Sequence, residues 1–542
     1  MPFNVKWMKP FTFATLLIFD FSLVSAQSLE SIVNVKHHGA TGGGEKLDTE
    51  PVQKAIDACH DNGGGTVYFP NGIYRVGTIV LKSNVTLHLE AGAKILGSTD
   101  LRDYRPLKLR PEEEAKIEGQ TKKEDFGALH LIYAQKAKNI GITGRGVIDG
   151  SGRAFWDKDF KPLDRPNQMI EFEACEEVNV SGVTLQNSPF WTLHILSCNR
   201  VRIDGISIIN PRQGPNTDGI DVNSSSNVFI ANVYVETGDD ALCFKSRFAD
   251  EPVQNVTVTN CVLISDDSAI KFGTRSSGDM RNITVSNCVI RNSTNGIAFF
   301  MKDGGHFYDI QFSNLSIESA KFEERNRMTY PIFMDIEKRI ATSKIGRISG
   351  ISFNDLTIRT GGHCLIGGMR EQPIENLTFE NIRMLLPECD EIAAKSKPRG
   401  VSSLAAPAPG TDFAGVPSHW TFAHVQGLTL RNFQISVEQP RPDRHRHAIW
   451  GTHLKDVIMN VFKGGPSISG SELAAIRMER SQNVMISNSL AAPGTGVFLQ
   501  LAGAETGKVN VLQCDLSAAR QPFDISKDVE PHHFYENANR LK

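Results

Sequence analysis

From residue 178 onward, one short pattern recurs down the chain, and it restricts the fold more than any other feature. It starts at Val178, Val201, Val228, Val256, Ile283 and Ile310, at steps of 23, 27, 28, 27 and 27 residues. Later copies start at Ile351, Leu377, Leu428, Val484 and Val509. Each copy alternates apolar and polar positions over two short strands joined by a polar turn, and a helical period fits none of them. One such unit cannot bury its apolar side alone. Units stacked in register can, which makes a solenoid with parallel sheets. Asn232, Asn260, Asn287, Asn314, Asn381, Asn432 and Asn488 fall at one place in the repeat. Stacked amides there can hydrogen-bond along the axis. The expected fold is all-β, a right-handed parallel β-helix. Propeller and leucine-rich signatures are absent.

Upstream, Asp48 or Thr49 followed by Pro51 reads as a helix start. Val52, Ala55, Ile56 and Cys59 then follow at i, i+3, i+4 and i+7, giving one apolar face. This short N-terminal helix is expected to cap the open end of the stack. The length of 542 residues would otherwise suggest several domains. The repeat instead predicts a single catalytic β-helix over 27–542, with long loops at about 101–127, 151–169, 318–347 and 386–424. Ser396 to Trp420, rich in Pro, Gly and Ala, reads as irregular loop.

Residues 1–26 read as a cleaved signal peptide: Lys6 and Lys9, an apolar run from Phe11 to Val24 broken by Asp20, then Val24-Ser25-Ala26. The run is too short and too polar for a bilayer core of about 30 Å. A secreted or periplasmic protein with no membrane span after cleavage is expected, most simply a monomer. With 58 basic and 61 acidic residues, the charge balance gives no general support for a nucleic-acid partner. Nine scattered cysteines, with no C-x-x-C, argue against a disulfide framework or a zinc site. Cys261 and Cys288 share one repeat position and read as stacked core residues.

The chemistry concentrates between Asn216 and Ser246. Asp218 and Asp221 lie on one coil and Asp239 and Asp240 on the next, with Asp266 and Asp267 on a third. Both clusters follow the second strand of their coil. In a parallel stack, residues one coil apart sit about 4.8 Å apart, so these carboxyls converge. Crowded carboxyls repel and at least one should hold its proton. A protonated acid beside ionised ones is what glycosidic bond cleavage needs. Two other readings of the acids stay open: calcium held by carboxylates, as in a lyase, or a non-catalytic carbohydrate-binding surface.

Asn216-Thr217-Asp218 and Gly238-Asp239-Asp240, with Asn187 to His194 and Gly146 to Gly150, resemble the polygalacturonase-like pectin glycoside hydrolases, glycoside hydrolase family 28. The resemblance covers roughly residues 32 to 390. It implies an inverting hydrolase of pectic oligo- or polysaccharide that uses no cofactor and no metal. Asp239 would be the general acid, and Asp218 with Asp240 would position and activate water. Asn216 would contact substrate. Two family motifs are altered. Ser268 stands where a His is expected, and Ala298 to Phe300 replaces Arg-Ile-Lys. These departures fit a rhamnogalacturonan-type substrate better than plain polygalacturonan. Replacement cations to bind a uronate are Lys245, Lys271, Arg275 and Lys302, with Arg212 a weaker candidate. Trp191 could stack on a sugar, and His194 should lie near the groove.

Overall fold

The computed structural model describes residues 32–107, 129–322, 328–390, 417–439 and 445–541. The signal peptide, most of the 101–127 loop and residues 396–416 of the long Pro-rich segment therefore lie outside the described residues.

Successive coils pair in parallel, residue over residue, as a right-handed β-helix requires. From Gly65 to Met301 each coil carries three strands rather than the two expected. The first face holds Glu176–Ser181, Asn199–Asp204, Ser226–Ala231, Val253–Thr259 and Met280–Ser286. The second holds Thr184–Gln186, Ser207–Ile209, Tyr234–Thr237 and Val262–Ser265. The third holds Ile170–Glu173, Leu193–Leu196, Ile220–Asn223, Leu242–Ser246, Ser268–Ser276 and Asn295–Met301. From His306 the first two faces merge into long continuous strands, such as His306–Ser319 and Arg347–Thr360.

Inward side chains of all three faces form one apolar column along the axis. Like stacks on like: Phe272 lies between Phe244 and Phe299, at ring separations of 4.7 and 4.4 Å. All nine cysteines are free and buried, as expected for Cys261 and Cys288. The asparagine column forms as well. Asn260 donates to Asn232 at 3.3 Å, Asn314 to Asn287 at 2.8 Å and Asn432 to Asn381 at 2.8 Å. These residues take positive φ, for example 58° at Asn260, which Asn tolerates better than most side chains. A second ladder runs through Asn227, Asn255 and Asn282.

The helix spans Thr49–Asp61 and buries Val52, Ala55, Ile56 and Cys59 against the first coils. Asp48 precedes it, but its carboxylate accepts from Thr41 N and Gly42 N instead of capping the first turn. The expected loops are shorter than drawn. One strand runs to Glu388 and another starts at Ser418, placing Trp420 in the core. The 318–347 stretch contains the strand Tyr330–Ile336. The 151–169 excursion holds a short 3-10 turn at Gly152–Phe155 and a Trp156–Pro162 bridge.

Candidate active site

The third face carries the site. Its inward residues (Ile220, Val222; Leu242, Phe244; Ile270, Phe272) belong to the core, so the alternate residues must face outward. Register aligns these outward positions into columns. One runs Tyr133, Glu171, His194, Asp221, Cys243, Lys271, Ala298 and Phe333. Its neighbour runs through Leu196, Asn223 and Lys245. The ladder continues upstream of these strands: Gly219 N donates to Asp240 O at 2.8 Å and Ala241 N to Ser268 O at 3.0 Å. Asp218, Asp240 and Ser268 are therefore stacked on successive coils, with Asp239 one residue before Asp240.

The turns that carry Asp218 and Asp239 are mutually tied. Thr217 Oγ accepts from Gly238 N at 3.1 Å, joining the turn of Asp218 to that of Asp239. A Cβ at Gly238 would come within 2.5 Å of Gly214 O and 2.6 Å of Arg212 O, so only glycine permits this approach. Asn216 holds φ at 57° just before Thr217. Arg165 anchors this turn from outside, donating to Asn216 Oδ1 at 2.8 Å, Pro215 O at 2.6 Å and Pro189 O at 2.9 Å. Its guanidinium also lies 4.6 Å over the Phe190 ring. Burial pulls the Arg165 pKa down to about 10, against the opposing pull of Asp218 and Asp239. Arg165 sits in an irregular segment with no repeat phase, and no sequence signal marked it.

The acids are deeply set: Asp218, Asp239 and Asp240 are 3%, 6% and 1% exposed. Burial first, then Asp221 and Asp239, push the Asp218 carboxyl well above the usual carboxylate range, with Lys245 opposing. Burial likewise raises Asp240, and Lys271 is the main force holding it down. One oxygen on each of Asp218, Asp221 and Asp240 is buried with no hydrogen-bond partner among the described residues. The other carboxylate oxygen of each residue is engaged by one of two lysines. Lys245 Nζ donates to Asp218 Oδ2 at 3.3 Å, to Asp221 and to Cys243 Sγ at 3.0 Å. The Trp191 ring covers that ammonium at 4.2 Å. Lys271 Nζ donates to Asp240 Oδ2 at 2.7 Å and lies 5.5 Å from the Phe300 ring.

The candidates of the sequence thus divide. Asp218, Asp239, Asp240, Lys245, Lys271 and Trp191 come together. Asp221, given only a supporting part, is a direct partner of Lys245. His194 is buried in the floor, with Nδ1 2.8 Å from Glu171 Oε2 and Nε2 3.2 Å from Asn223 Nδ2. Burial would raise Glu171, but His130 and His194 overcome it and bring its pKa down to about 2. Lys302 is buried two coils beyond Asp240 and pairs with Glu337. Arg275 is half-buried near the far end of its strand, past a register shift. Arg212 donates to Asn292 O at 2.7 Å. Ser268 bonds Asp267 and Asn295, both at 3.2 Å. Ala298 stacks on Lys271. With Phe300, Tyr330, Phe333 and Leu365 it forms a buried apolar cluster apart from the core.

Asp218, Asp240 and Cys243 could together offer a metal three ligand atoms within 4.8 Å of one another. Lys245 already places a cation against Asp218 and Cys243, and a thiol does not suit calcium, which takes oxygen ligands.

Among curated proteins, the chain is 28% identical over 276 residues to a probable polygalacturonase of Vitis vinifera, covering 48% of this chain and 55% of that one. It is 23% identical to an exo-poly-alpha-D-galacturonosidase of Dickeya chrysanthemi, covering 46% and 48%. The chain spans about half the length of the curated relatives it matches. Among solved structures, an exopolygalacturonase of Thermotoga maritima superposes with a TM-score of 0.56 at 24% identity, over 66% of this chain and 87% of that one. A polygalacturonase of Erwinia carotovora gives 0.52 at 21% identity, over 64% and 93%. At these identities the structures attest the parallel β-helix alone. The model for glycosyl hydrolases family 28 matches residues 70–392, more than half of the chain and all of the acid-bearing coils, and the chain belongs to that family.

Proposed function

We propose that this chain is a secreted glycoside hydrolase that cuts O-glycosidic bonds in pectic polysaccharide with inversion at the anomeric carbon. The observation that carries the reading is the stack of Asp218 on Asp240, with Asp239 beside it and two ammonium groups beneath. Four carboxyls, counting Asp221, meet two lysines, so the cluster keeps a proton that burial makes hard to lose. Such a cluster titrates as a unit. Lys271 holds Asp240 toward the ionised form, suited to take a proton from water. Asp239, the acid by family resemblance, gives its proton to the leaving glycosidic oxygen. Water positioned by Asp218 and deprotonated by Asp240 attacks the anomeric carbon from the opposite face. The C–O bond to the leaving sugar breaks, a C–OH bond forms, and the water proton passes to the base.

The substrate is a uronide chain of galacturonan or rhamnogalacturonan type. The relatives' names support a galacturonide, and the altered coils support a departure from plain polygalacturonan. Where the family places Arg and Lys, this chain has Ala298 and Phe300 in an apolar cluster, and its cation lies one coil earlier, at Lys271. Product analysis on defined homogalacturonan and rhamnogalacturonan oligomers tests this reading. New reducing ends from at least one substrate are expected, with loss on Asp239→Asn. Unsaturated, ultraviolet-absorbing products would identify a lyase instead, and absence of cleavage would refute hydrolysis.

A further inference from the structure

A pocket of about 440 Å³ opens at the N-terminal end of the same sheet face. It is lined by Lys82, Arg105, Lys136, His60, Tyr133 and Gln135 over an apolar floor, and among the described residues no Asp or Glu lines it. Arg105 and Lys136 are exposed. Lys82 pairs with Asp57 at 2.8 Å behind the rim. Glu173, fully buried, accepts from Tyr133 and Gln135 and fixes both side chains. The pocket is thus a concave surface with three lysine or arginine groups and two oriented polar side chains.

Its place matters. Tyr133 belongs to the outward column that continues through Glu171 and His194 to Asp221. Three coil steps separate Tyr133 from Asp221, roughly 14 Å at the spacing of parallel strands. The pocket opens at the end of the Tyr133 strand and the turn after it, Gln135 to Ala137. Asp218 and Asp240 instead precede their strands, so the pocket lies on the same sheet as the acids, offset toward the strand exits. The inner lysines, Lys245 and Lys271, are engaged by the catalytic carboxyls. Arg105 and Lys136 are cations on this face that present charge to solvent.

We propose that this pocket is a distal subsite that binds a uronate residue of the substrate chain through its carboxylate. It rests on the uronide reading above, and it adds that long chains are held at a second point away from the bond that is cut. The cations supply charge-assisted hydrogen bonds, and Tyr133 supplies an amphipathic edge for a sugar ring.

The test is calorimetric binding of digalacturonate and of a long oligogalacturonate to the Asp239→Asn chain, with and without Arg105→Ser and Lys136→Ser. Both side chains are exposed, so folding should persist, and circular dichroism checks it. Affinity for the long oligomer should fall roughly tenfold for the pair, the size of one lost charge-assisted hydrogen bond, while digalacturonate binding is unchanged. Lys136→Glu should lower the long-oligomer affinity further. Equal affinity in both backgrounds, an equal fall for short and long ligands, or no oligogalacturonate binding at all would overturn the proposal. If the binding difference holds while the wild-type chain cuts no uronide, the subsite stands and the hydrolase reading fails.

Discussion

Lys271→Met separates Asp240, the proposed base, from the cation that draws it toward its ionised form. Lys271 Nζ lies 2.7 Å from Asp240 Oδ2 and its side chain is 11% exposed. At an effective dielectric near 20, that pair is worth up to about 6 kcal/mol, equivalent to more than about four pKa units if nothing relaxed. Lys245 also faces Asp240, and water entering the vacated volume screens the rest. An opposite charge at this range ordinarily lowers a carboxyl by about 1–3 units. Its loss should raise Asp240 by that amount. A base works above its pKa, so the acid limb of the kcat profile should move to higher pH by about 1–3 units. Each unit costs about tenfold in rate at fixed low pH. The assay is reducing-end release across pH at saturating substrate. An acid limb that stays in place, with kcat merely scaled down, would refute the role given to Lys271 and Asp240.

Further outcomes follow from other parts of the molecule. Arg165→Ala frees the turn that carries Asn216 and Asp218; a misplacement of about 1 Å can cost roughly 100-fold in rate, so kcat should drop by about that factor while the melting temperature changes little. Glu171 has its pKa brought from 4.5 to about 2 in the folded chain. Its contribution, about 3 kcal/mol, is full above pH 4.5 and lost as pH falls toward 2. Glu171→Gln should therefore flatten the decline of urea resistance over that window. Phe272→Ala opens a cavity between Phe244 and Phe299 and should destabilise by about 3–5 kcal/mol, read as a lower urea midpoint.

Much of this architecture is legible in the sequence itself. The stacked copies from Val178 to Val509 and the column from Asn232 to Asn432 identify a solenoid, because both are repeated too often for chance. The third strand of each coil was harder to see. Stretches such as Ile220–Asn223 and Leu242–Ser246 are four or five residues long, and their outward positions are taken by Asp221, Cys243 and Lys245. Polar site residues thus disguised the strand that carries them. Coil spacing also could not tell whether Lys245 and Lys271 face substrate or acid. At about 4.8 Å per coil, a lysine is within reach of the carboxyl on the neighbouring coil, and both lysines take that partner. Arg165 arrives from a segment without periodicity, so only the folded chain brings it to Asn216.

Proton magnetic resonance of the first sugar released tests the central claim most directly. Digestion of a defined pectic oligomer should yield a hemiacetal whose initial anomeric configuration is opposite to that of the bond cut. Asp239→Asn should slow its appearance by about 100- to 10,000-fold, as loss of a general acid does. A product that retains the configuration, carries a new double bond, or forms as fast without the Asp239 carboxyl would contradict inverting hydrolysis by this acid cluster.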